Sequence, residues 1–128
     1  MKHLERAIKS ALKHEYGTDI RYRLCAVLVK GGSILSIGFN DTSINSFVRH
    51  YATAPHTNLH AEVDAILQAR RKSDLNGCKI YVARVRRDNS VALARPCNMC
   101  QNVLARYGIR TAIYTINENE HGVLKCHH

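Results

Sequence analysis

The sequence predicts an α/β protein with a mixed β-sheet, an opening β-hairpin and helices packed on the faces of the sheet. Three observations support this prediction. Hydrophobic residues make up 45% of the 128 residues, which is enough to form a core. Two β-prone apolar runs, 23–30 and 34–40, are joined by Gly31-Gly32, as in a tight hairpin. Helix-like and strand-like patterns alternate after them, so we expect one domain over residues 1–128.

Two helices are expected in the first 76 residues. The first has apolar residues at helical spacing, namely Leu4, Ala7, Ile8, Ala11, Leu12 and Tyr16. Gly17 then offers a left-handed C-terminal cap. The second helix is predicted from Leu59, with Asn58 as a candidate N-cap, and it ends before Asn76-Gly77.

The second half of the chain predicts two further strands with a helix between them. The strands are 78–85 and 110–116, and the helix begins near Pro96 and ends at Gly108. The inner face of this helix comprises Cys100, Val103, Leu104 and Tyr107. The element order is therefore α-β-β-α-β-α-β, followed by a tail without a clear pattern. Residues 41–58 have no clear period and are too long for a simple connection, which indicates a functional loop.

Composition narrows the classes of protein that the chain can belong to. No apolar run approaches the ~20 residues of a membrane span, and the N-terminus lacks the apolar core of a signal peptide. Five cysteines, an odd number without a secretion signal, favour reduced thiols or metal ligands over a disulfide framework. The formal charge of +9 attracts polyanions and phosphorylated small molecules, or else serves only as a solubilising surface.

The chemistry of the chain centres on two predicted helix starts. Cys97 and Cys100 are three residues apart and face the same way on a helix, where the dipole favours thiolates that zinc accepts. His60 and Glu62 lie in the first turn of the other helix. If the two starts lie together, His60 joins the thiols as a third zinc ligand and leaves one coordination position open, as in catalytic sites. Zinc lowers the pKa of a water in that position towards ~7, and Glu62 can then transfer its proton.

Other interpretations of the same residues remain open at this point. Cys97 and Cys100 are also compatible with a redox pair of the thioredoxin kind. A closed structural zinc site is a second alternative, with a fourth ligand drawn from Cys25, His56 or Cys78. Glu62 could then be only a first-turn acid favoured by the helix dipole.

The motif His-x-Glu followed by Pro-Cys-x-x-Cys is the signature of zinc nucleobase deaminases. The chain resembles the zinc-dependent cytidine and deoxycytidylate deaminase superfamily, in the branch with His/Cys/Cys ligands. The matching stretches are "GFN" (38–40), "HAEVDAI" (60–66), "ARPCNMC" (94–100) and "GIRTAIYT" (108–115). The resemblance implies a three-layer α-β-α fold of the cytidine deaminase type.

The resemblance also implies roles for individual residues. His60, Cys97 and Cys100 would hold Zn²⁺, and Glu62 would be the proton shuttle. Asn40 would contact the sugar of the substrate. The backbone of Ala61 would contact the base. Hydroxide would attack the carbon that bears the exocyclic amine, and ammonia would leave.

Further candidates for substrate contact come from their position in the sequence. Arg49 lies in the long loop and could pair with a phosphate, or it is simply a solvated charge. Arg95 lies two residues before Cys97, and Tyr114 lies near the end of a strand, where it lines a pocket or packs in the core. His50 and His56 fit a substrate or second-metal role less well than a surface position.

Residues around the motif distinguish branches of the superfamily. Small free-cytidine deaminases usually have Cys where this chain has His60. Transfer RNA adenosine deaminases typically have Glu at the position of Arg95, and vertebrate DNA-editing enzymes have Ser-x-Ser over 93–95. Deoxycytidylate deaminases share His-Ala-Glu and a similar loop, although they usually have Asn at the position of Asp64. The short format also resembles phage-type members.

These comparisons favour a deaminase that converts dCMP to dUMP. The +9 charge supports a second hypothesis, an editing enzyme that acts on cytosine or adenine in single-stranded DNA or RNA, although the chain has no Trp and only two Phe for base stacking. A non-catalytic binding module stabilised by zinc is the third. We expect a small nucleotide as substrate, no membrane partner, a homo-oligomer, and a cytoplasmic location in a bacterial cell or phage-infected host.

Overall fold

The computed structural model describes residues 1–16, 22–44 and 58–126. The helices in these ranges are α1 (Lys2–Lys13), α2 (Ala61–Ala69) and α3 (Asn98–Arg106). The strands are β1 (Tyr22–Lys30), β2 (Ser33–Phe39), β3 (Asp41–Ile44), β4 (Asn58–Leu59), β5 (Lys79–Arg86), β6 (Val91–Ala92), β7 (Thr111–Thr115) and β8 (His121–Lys125).

Six of the strands form one mixed sheet in the order β2-β1-β5-β7-β8, with β6 paired to β5. Only the β5–β7 pair is parallel among these, and α3 provides the crossover that a parallel pair requires. β6 pairs with Arg84 and Val85 of β5, beyond the last residue of β5 that pairs with β7. β3 and β4 form a separate two-stranded sheet that leads from β2 into α2.

The sheet separates two apolar clusters, because strand side chains alternate between faces. α1 covers one face through Ala7 and Ala11, which pack with Val27 and Ala83. α2 and α3 lie together on the other face, where Ile66 and Leu104 are among the largest fully buried side chains. The result is the three-layer α-β-α arrangement with a mixed sheet and an N-terminal hairpin, which confirms the predicted fold class. Among the described segments, no helix is long and apolar enough to cross a membrane.

The predicted hairpin is confirmed in detail. β1 and β2 are antiparallel and joined by Gly31 and Gly32, whose φ angles are +58° and +82°. Positive φ at both turn residues is the geometry that Gly-Gly supplies without steric cost.

Several helix boundaries differ from the predictions. α1 ends at Lys13, with His14 as an extended C-cap, so Gly17 is too distant to cap it, and Gly17 itself lies outside the described residues. α2 begins at Ala61, because His60 and not Asn58 is the N-cap, whereas its end at Ala69 agrees with the prediction that it ends before Asn76. Pro96 precedes the N-cap of α3 instead of lying in its first turn.

Four short strands were absent from the predicted order, namely β3, β4, β6 and β8. β3, β4 and β6 have only two to four residues, which is too short for a period to show. β8 alternates between exposed and half-buried positions at the edge of the sheet and buries little apolar surface. Most of the predicted loop over 41–58, together with residues 127–128, lies outside the described part of the chain. The assignment of residues 1–128 to one domain stays a prediction.

Candidate active site

The first residues of α2 and α3 bring three metal-binding side chains together. His60 is the N-cap of α2 and Cys97 is the N-cap of α3, and both have extended backbone. The Nδ1 atom of His60 lies 3.4 Å from Sγ of Cys100 and 3.8 Å from Sγ of Cys97. The three donor atoms all lie within 4.8 Å of one another. The expected convergence of the two helix starts is therefore present.

These separations match the donor spacing of a tetrahedral zinc site. Zinc binds imidazole nitrogen at about 2.0 Å and thiolate sulfur at about 2.3 Å, so tetrahedral geometry separates nitrogen from sulfur by roughly 3.5 Å. The two observed N–S distances lie on either side of that value. One imidazole and two thiols are also a donor set that zinc prefers. The residues present therefore fit zinc.

The electrostatics of the two thiols are coupled. The hydrogen bond from Cys100 is the main cause that lowers the pKa of Cys97 to about 4, and the hydrogen bond to His60 adds to it. The pKa of the buried Cys100 is raised well above its usual value, chiefly because it donates to Cys97 and is also desolvated. The hydrogen bond to Cys97 likewise raises the pKa of His60. The hydrogen bonds within the group thus favour the thiolate form of Cys97, which is the form that binds a metal cation.

Glu62 adds a buried carboxyl group to this cluster. Its side chain is almost fully buried and is hydrogen-bonded to Cys100. Burial raises the pKa of the Glu62 carboxyl, although its backbone hydrogen bond and His60 oppose this shift. A carboxyl group whose pKa moves towards neutrality is suited to proton transfer. A buried acid with a raised pKa beside a group of metal-binding side chains is a candidate functional residue.

A close approach between β2 and α2 fixes the position of His60 and Glu62. A Cβ atom on Gly38 would collide with the carbonyl oxygen of Ala61 and would lie 2.9 Å from Cα of Ala65. The Phe39 backbone N–H donates to Oδ2 of Asp64 at 2.9 Å. Asp64, the residue that departs from the usual deoxycytidylate deaminase pattern, therefore ties the first turns of α2 to the end of β2.

Thr115 at the end of β7 holds the segment that leads to Cys97. Its hydroxyl donates to the carbonyl oxygen of Ala92 at 2.7 Å, and its own carbonyl oxygen accepts the N–H of Ala94 at 2.9 Å. At the other end of the segment, the Gln101 side chain donates to the carbonyl oxygen of Pro96 at 2.8 Å. Residues 92–96 are thereby anchored at both ends, which restricts where the Cys97 thiol can lie.

The predicted substrate contacts occupy different environments. The side-chain amide of Asn40 accepts the Leu24 N–H at 2.9 Å and donates to the Tyr22 carbonyl oxygen at 3.1 Å, so it extends the β1–β2 ladder and keeps one amide hydrogen for other partners. Ala61 is the buried first residue of α2. Arg95 is exposed beside Pro96.

Tyr114 is placed in the core on the side of the sheet that carries α2 and α3. Its ring is buried and lies over Gly122, where a Cβ atom would collide with the phenol group. Arg49, His50 and His56 lie outside the described residues. No observation tests the substrate contacts of Asn40, Ala61, Arg49, Arg95 or Tyr114, and they stay predictions.

Two of the suggested fourth ligands are ruled out. Cys25 belongs to the apolar cluster under α1, on the opposite face of the sheet, and burial raises its pKa to about 12. Cys78 directly precedes β5, and neither thiol belongs to the donor group formed by His60, Cys97 and Cys100. Within the described ranges this group therefore has three members. A cavity of about 850 Å³ lies elsewhere, between Asn76, Gly108 and Thr111, and none of the predicted site residues lines it.

Comparison with known proteins connects this geometry to a family. The family model described as the cytidine and deoxycytidylate deaminase zinc-binding region matches residues 1–116. The chain belongs to this family. It is therefore a zinc-dependent nucleotide deaminase, a hydrolase, and the predicted family, enzyme class and zinc cofactor are confirmed. A search of curated protein sequences finds no match.

Solved structures similar to this deaminase share its fold. The dCMP deaminase of cyanophage S-TIM5, in complex with dCMP and dUMP, is 22% identical, with a TM-score of 0.60 and coverage of 88% of this chain and 77% of that chain. A cytidine deaminase from Burkholderia pseudomallei is 19% identical, with a TM-score of 0.68 and coverage of 98% and 91%. Guanine deaminase from Bacillus subtilis is 24% identical, with a TM-score of 0.56 and coverage of 90% and 62%. Identities this low show the fold and leave the substrate open.

The residues that hold the segments of this deaminase's candidate site in place are not among the sequence-predicted site residues. The anchoring roles of Asp64, Thr115 and Gln101 depend on backbone atoms of other elements, which a linear sequence does not reveal. The close approach at Gly38 had one available signal, since a glycine inside a strand pattern often marks a neighbouring backbone. Arg84 is likewise not among the sequence-predicted site residues.

Proposed function

We propose that this deaminase hydrolyses the exocyclic C–N bond of a cytosine nucleotide, with dCMP as the substrate and dUMP and ammonia as the products. The observation that supports this proposal is the His60, Cys97 and Cys100 donor group with the buried carboxyl of Glu62 in contact with Cys100. In this proposal, the three donors hold zinc. The cyanophage structure in complex with dCMP and dUMP makes dCMP the first substrate to test.

Zinc, when bound, supplies Lewis-acid chemistry that makes water a competent nucleophile near neutral pH. Glu62 accepts one proton from the attacking water and delivers it to the pyrimidine ring nitrogen. It then takes the second proton from the hydroxyl on the attacked carbon and delivers it to the departing amine, which leaves as ammonia. Because burial raises its pKa, the carboxyl group can hold and release a proton within the same turnover. The atoms balance as cytosine plus water giving uracil plus ammonia.

The surroundings of Glu62 support this role. Its location in the first turn of α2 places the carboxyl two residues from His60, and its contact with Cys100 fixes its direction. Exclusion of bulk water by the surrounding core strengthens electrostatic interactions at the reacting carbon. The predicted contact of the base with the Ala61 backbone would use the N-terminal end of the same helix.

The proposal is tested with purified protein loaded with zinc. Ammonia release is measured from dCMP, dCTP, cytidine and guanine, and bound zinc is quantified in the same preparation. We expect about one zinc per chain and the highest kcat/KM for dCMP. A zinc-loaded, folded protein that releases ammonia from none of the four compounds would refute the proposal.

Replacement of Glu62 tests its role as proton shuttle. Glu62→Gln preserves the shape of the side chain and removes its ability to take a proton, so we expect turnover to fall by at least about 100-fold while zinc content and melting temperature change little. Glu15→Gln, at an exposed position just after α1, which covers the opposite face of the sheet, is the matched control and should retain full turnover. Retention of turnover by Glu62→Gln would exclude Glu62 as the shuttle.

The net charge of +9 supports polynucleotide editing as a second candidate function. Deamination of cytosine or adenine in a single-stranded oligonucleotide, with a strong dependence on salt concentration, would favour it over dCMP hydrolysis. The homo-oligomeric state and the cytoplasmic location stay predictions, and light scattering of the purified protein tests the first of them.

A further inference from the structure

Arg84 lies in β5 on the same face of the sheet as the donor group. Ile80 and Val82 of β5 belong to the cluster under α2 and α3, whereas Ala83 and Val85 belong to the cluster under α1. Alternation along the strand therefore directs the Arg84 side chain towards the layer that holds His60, Cys97 and Cys100.

The register of the sheet places Arg84 just beyond the start of α2. One row of paired residues across this face contains Gly38, Ala26 and Val82, and Gly38 is the residue that touches Ala61. The next row contains Leu24 and Arg84, two residues further along the strands, which is about 7 Å. Arg84 thus lies where the sheet extends past the N-terminal end of the helix.

Both neighbours of this row lead to predicted site residues. On one side, the Leu24 N–H donates to Oδ1 of Asn40, the predicted sugar contact. On the other side, Arg84 pairs with Ala92, and its backbone N–H donates to the Thr115 hydroxyl at 3.3 Å. These are the contacts that anchor the segment leading to Cys97. Arg84 therefore lies between Asn40, the predicted sugar contact, and the segment that leads to Cys97.

The guanidinium group of Arg84 has no anionic partner in the described part of the chain. Its Cζ atom lies 4.0 Å from the centre of the Tyr22 ring, so one face of the group is covered by a cation–π contact. Its Nε atom is buried and makes no hydrogen bond to any described residue. A half-buried cation whose buried Nε–H has no acceptor among the described residues is costly unless an anion completes it, and arginine forms paired hydrogen bonds to phosphate particularly well.

We propose that Arg84, supported by the ring of Tyr22, binds the phosphate group of the substrate and makes this deaminase selective for a phosphorylated nucleotide over the free nucleoside. This inference rests on the proposed function and assigns the substrate class of the same site. The ligand chemistry is a phosphate ester, carried either at the 5′ position of a mononucleotide or in a polynucleotide backbone. The test distinguishes these two sources.

The experiment compares kcat/KM for dCMP, deoxycytidine and a short deoxycytidine oligonucleotide in wild type and Arg84→Gln. A hydrogen-bonded contact to a charged group is worth about 1.5–3 kcal/mol, so loss of Arg84 should reduce kcat/KM for dCMP by roughly 10- to 150-fold and leave deoxycytidine unchanged within about twofold. Arg87→Gln replaces an exposed arginine three residues away, in the turn between β5 and β6. It is the matched control and should leave kcat/KM unchanged for both dCMP and deoxycytidine. A larger loss for the oligonucleotide than for dCMP would identify the backbone as the source of the phosphate.

Arg84→Lys keeps the positive charge without the fork of donors, so its preference for dCMP over deoxycytidine should lie between those of wild type and Arg84→Gln. If Arg84→Gln does not fold, the comparison of dCMP with deoxycytidine is made with Arg84→Lys instead. Equal losses for dCMP and deoxycytidine, or no loss for either, would overturn the inference. If wild type releases no ammonia from any substrate, the proposed function fails, and calorimetric binding of dUMP against deoxyuridine then tests Arg84 separately. Equal affinity for these two ligands in wild type would overturn the Arg84 assignment.

Discussion

Replacement of Gly38 by alanine should displace the helix that carries His60 and Glu62. The added Cβ atom would meet backbone atoms of Ala61 and Ala65, including Cα of Ala65 at 2.9 Å. Carbon atoms in contact prefer separations of about 3.5–4.0 Å, so α2 must move away from β2 by roughly 0.6–1 Å. Backbone atoms cannot rotate away as a flexible side chain can, and the helix start must therefore shift.

The size of the effect follows from two opposing contributions. Overpacking of this kind costs about 1–3 kcal/mol. Alanine also restricts the unfolded chain, which returns about 0.4–1 kcal/mol. We expect a net loss of roughly 1–2 kcal/mol, or a melting temperature about 4–7 °C lower for a chain of 128 residues. A misplacement on the order of 1 Å can lower turnover about 100-fold, so zinc affinity and kcat/KM should fall as well.

Thermal unfolding, zinc competition with a chromogenic chelator and ammonia release are the assays. Gly32→Ala is the matched control, because the left-handed φ of +82° makes alanine unfavourable by roughly 1–2 kcal/mol while nothing lies within 4 Å of the added Cβ. Both variants should lose stability, and only Gly38→Ala should lose zinc affinity and turnover. Wild-type stability in Gly38→Ala, or equal turnover in the two variants, would refute this reasoning.

Three further predictions follow from contacts around the site and the core. Asp64→Ala should destabilise the protein by about 1–3 kcal/mol in denaturant unfolding because the Phe39 N–H loses its acceptor, whereas Asp64→Asn keeps an acceptor and should cost less. Thr115→Val should weaken zinc binding in chelator competition because the Ala92 carbonyl loses its donor, and a loss of the same size in Thr115→Ser would argue against the hydroxyl. Burial raises the pKa of Cys25 from 9.0 to about 12, so its folded state keeps the proton longer than the unfolded state. The neutral Cys25 thiol therefore contributes fully to the free energy of unfolding below pH 9. This contribution falls as pH rises towards 12, by about 2 kcal/mol at pH 10.5. Cys25→Ala should therefore lose stability less steeply than wild type between pH 9 and 11.

The sequence by itself determined the order of the main elements and the identity of the donor residues. Periodicity located both runs of the hairpin and three helices because each buries one continuous apolar face, a property that is visible in linear order. The spacing of Cys97 and Cys100 on a helix, with His60 and Glu62 at another helix start, was also local information. Short edge strands and helix caps were missed or misplaced because they depend on backbone partners that come from elsewhere in the chain.

The tertiary structure decided how these pieces meet. In the folded protein, α2 packs on β2 with no side chain at Gly38 to separate them, and Nδ1 of His60 lies 3.4 Å from Sγ of Cys100 in α3. Only the folded sheet shows that Asn40 is bonded to β1 and that Cys25 lies on the opposite face. The position of Arg84, whose Nε has no hydrogen-bond partner in the described ranges, likewise emerges from strand register, since no local pattern distinguishes it from the other arginines of the chain. Residue type and spacing encode which side chains can bind zinc. Whether these side chains meet, and which charged groups lie near them, depends on contacts between residues far apart in the sequence.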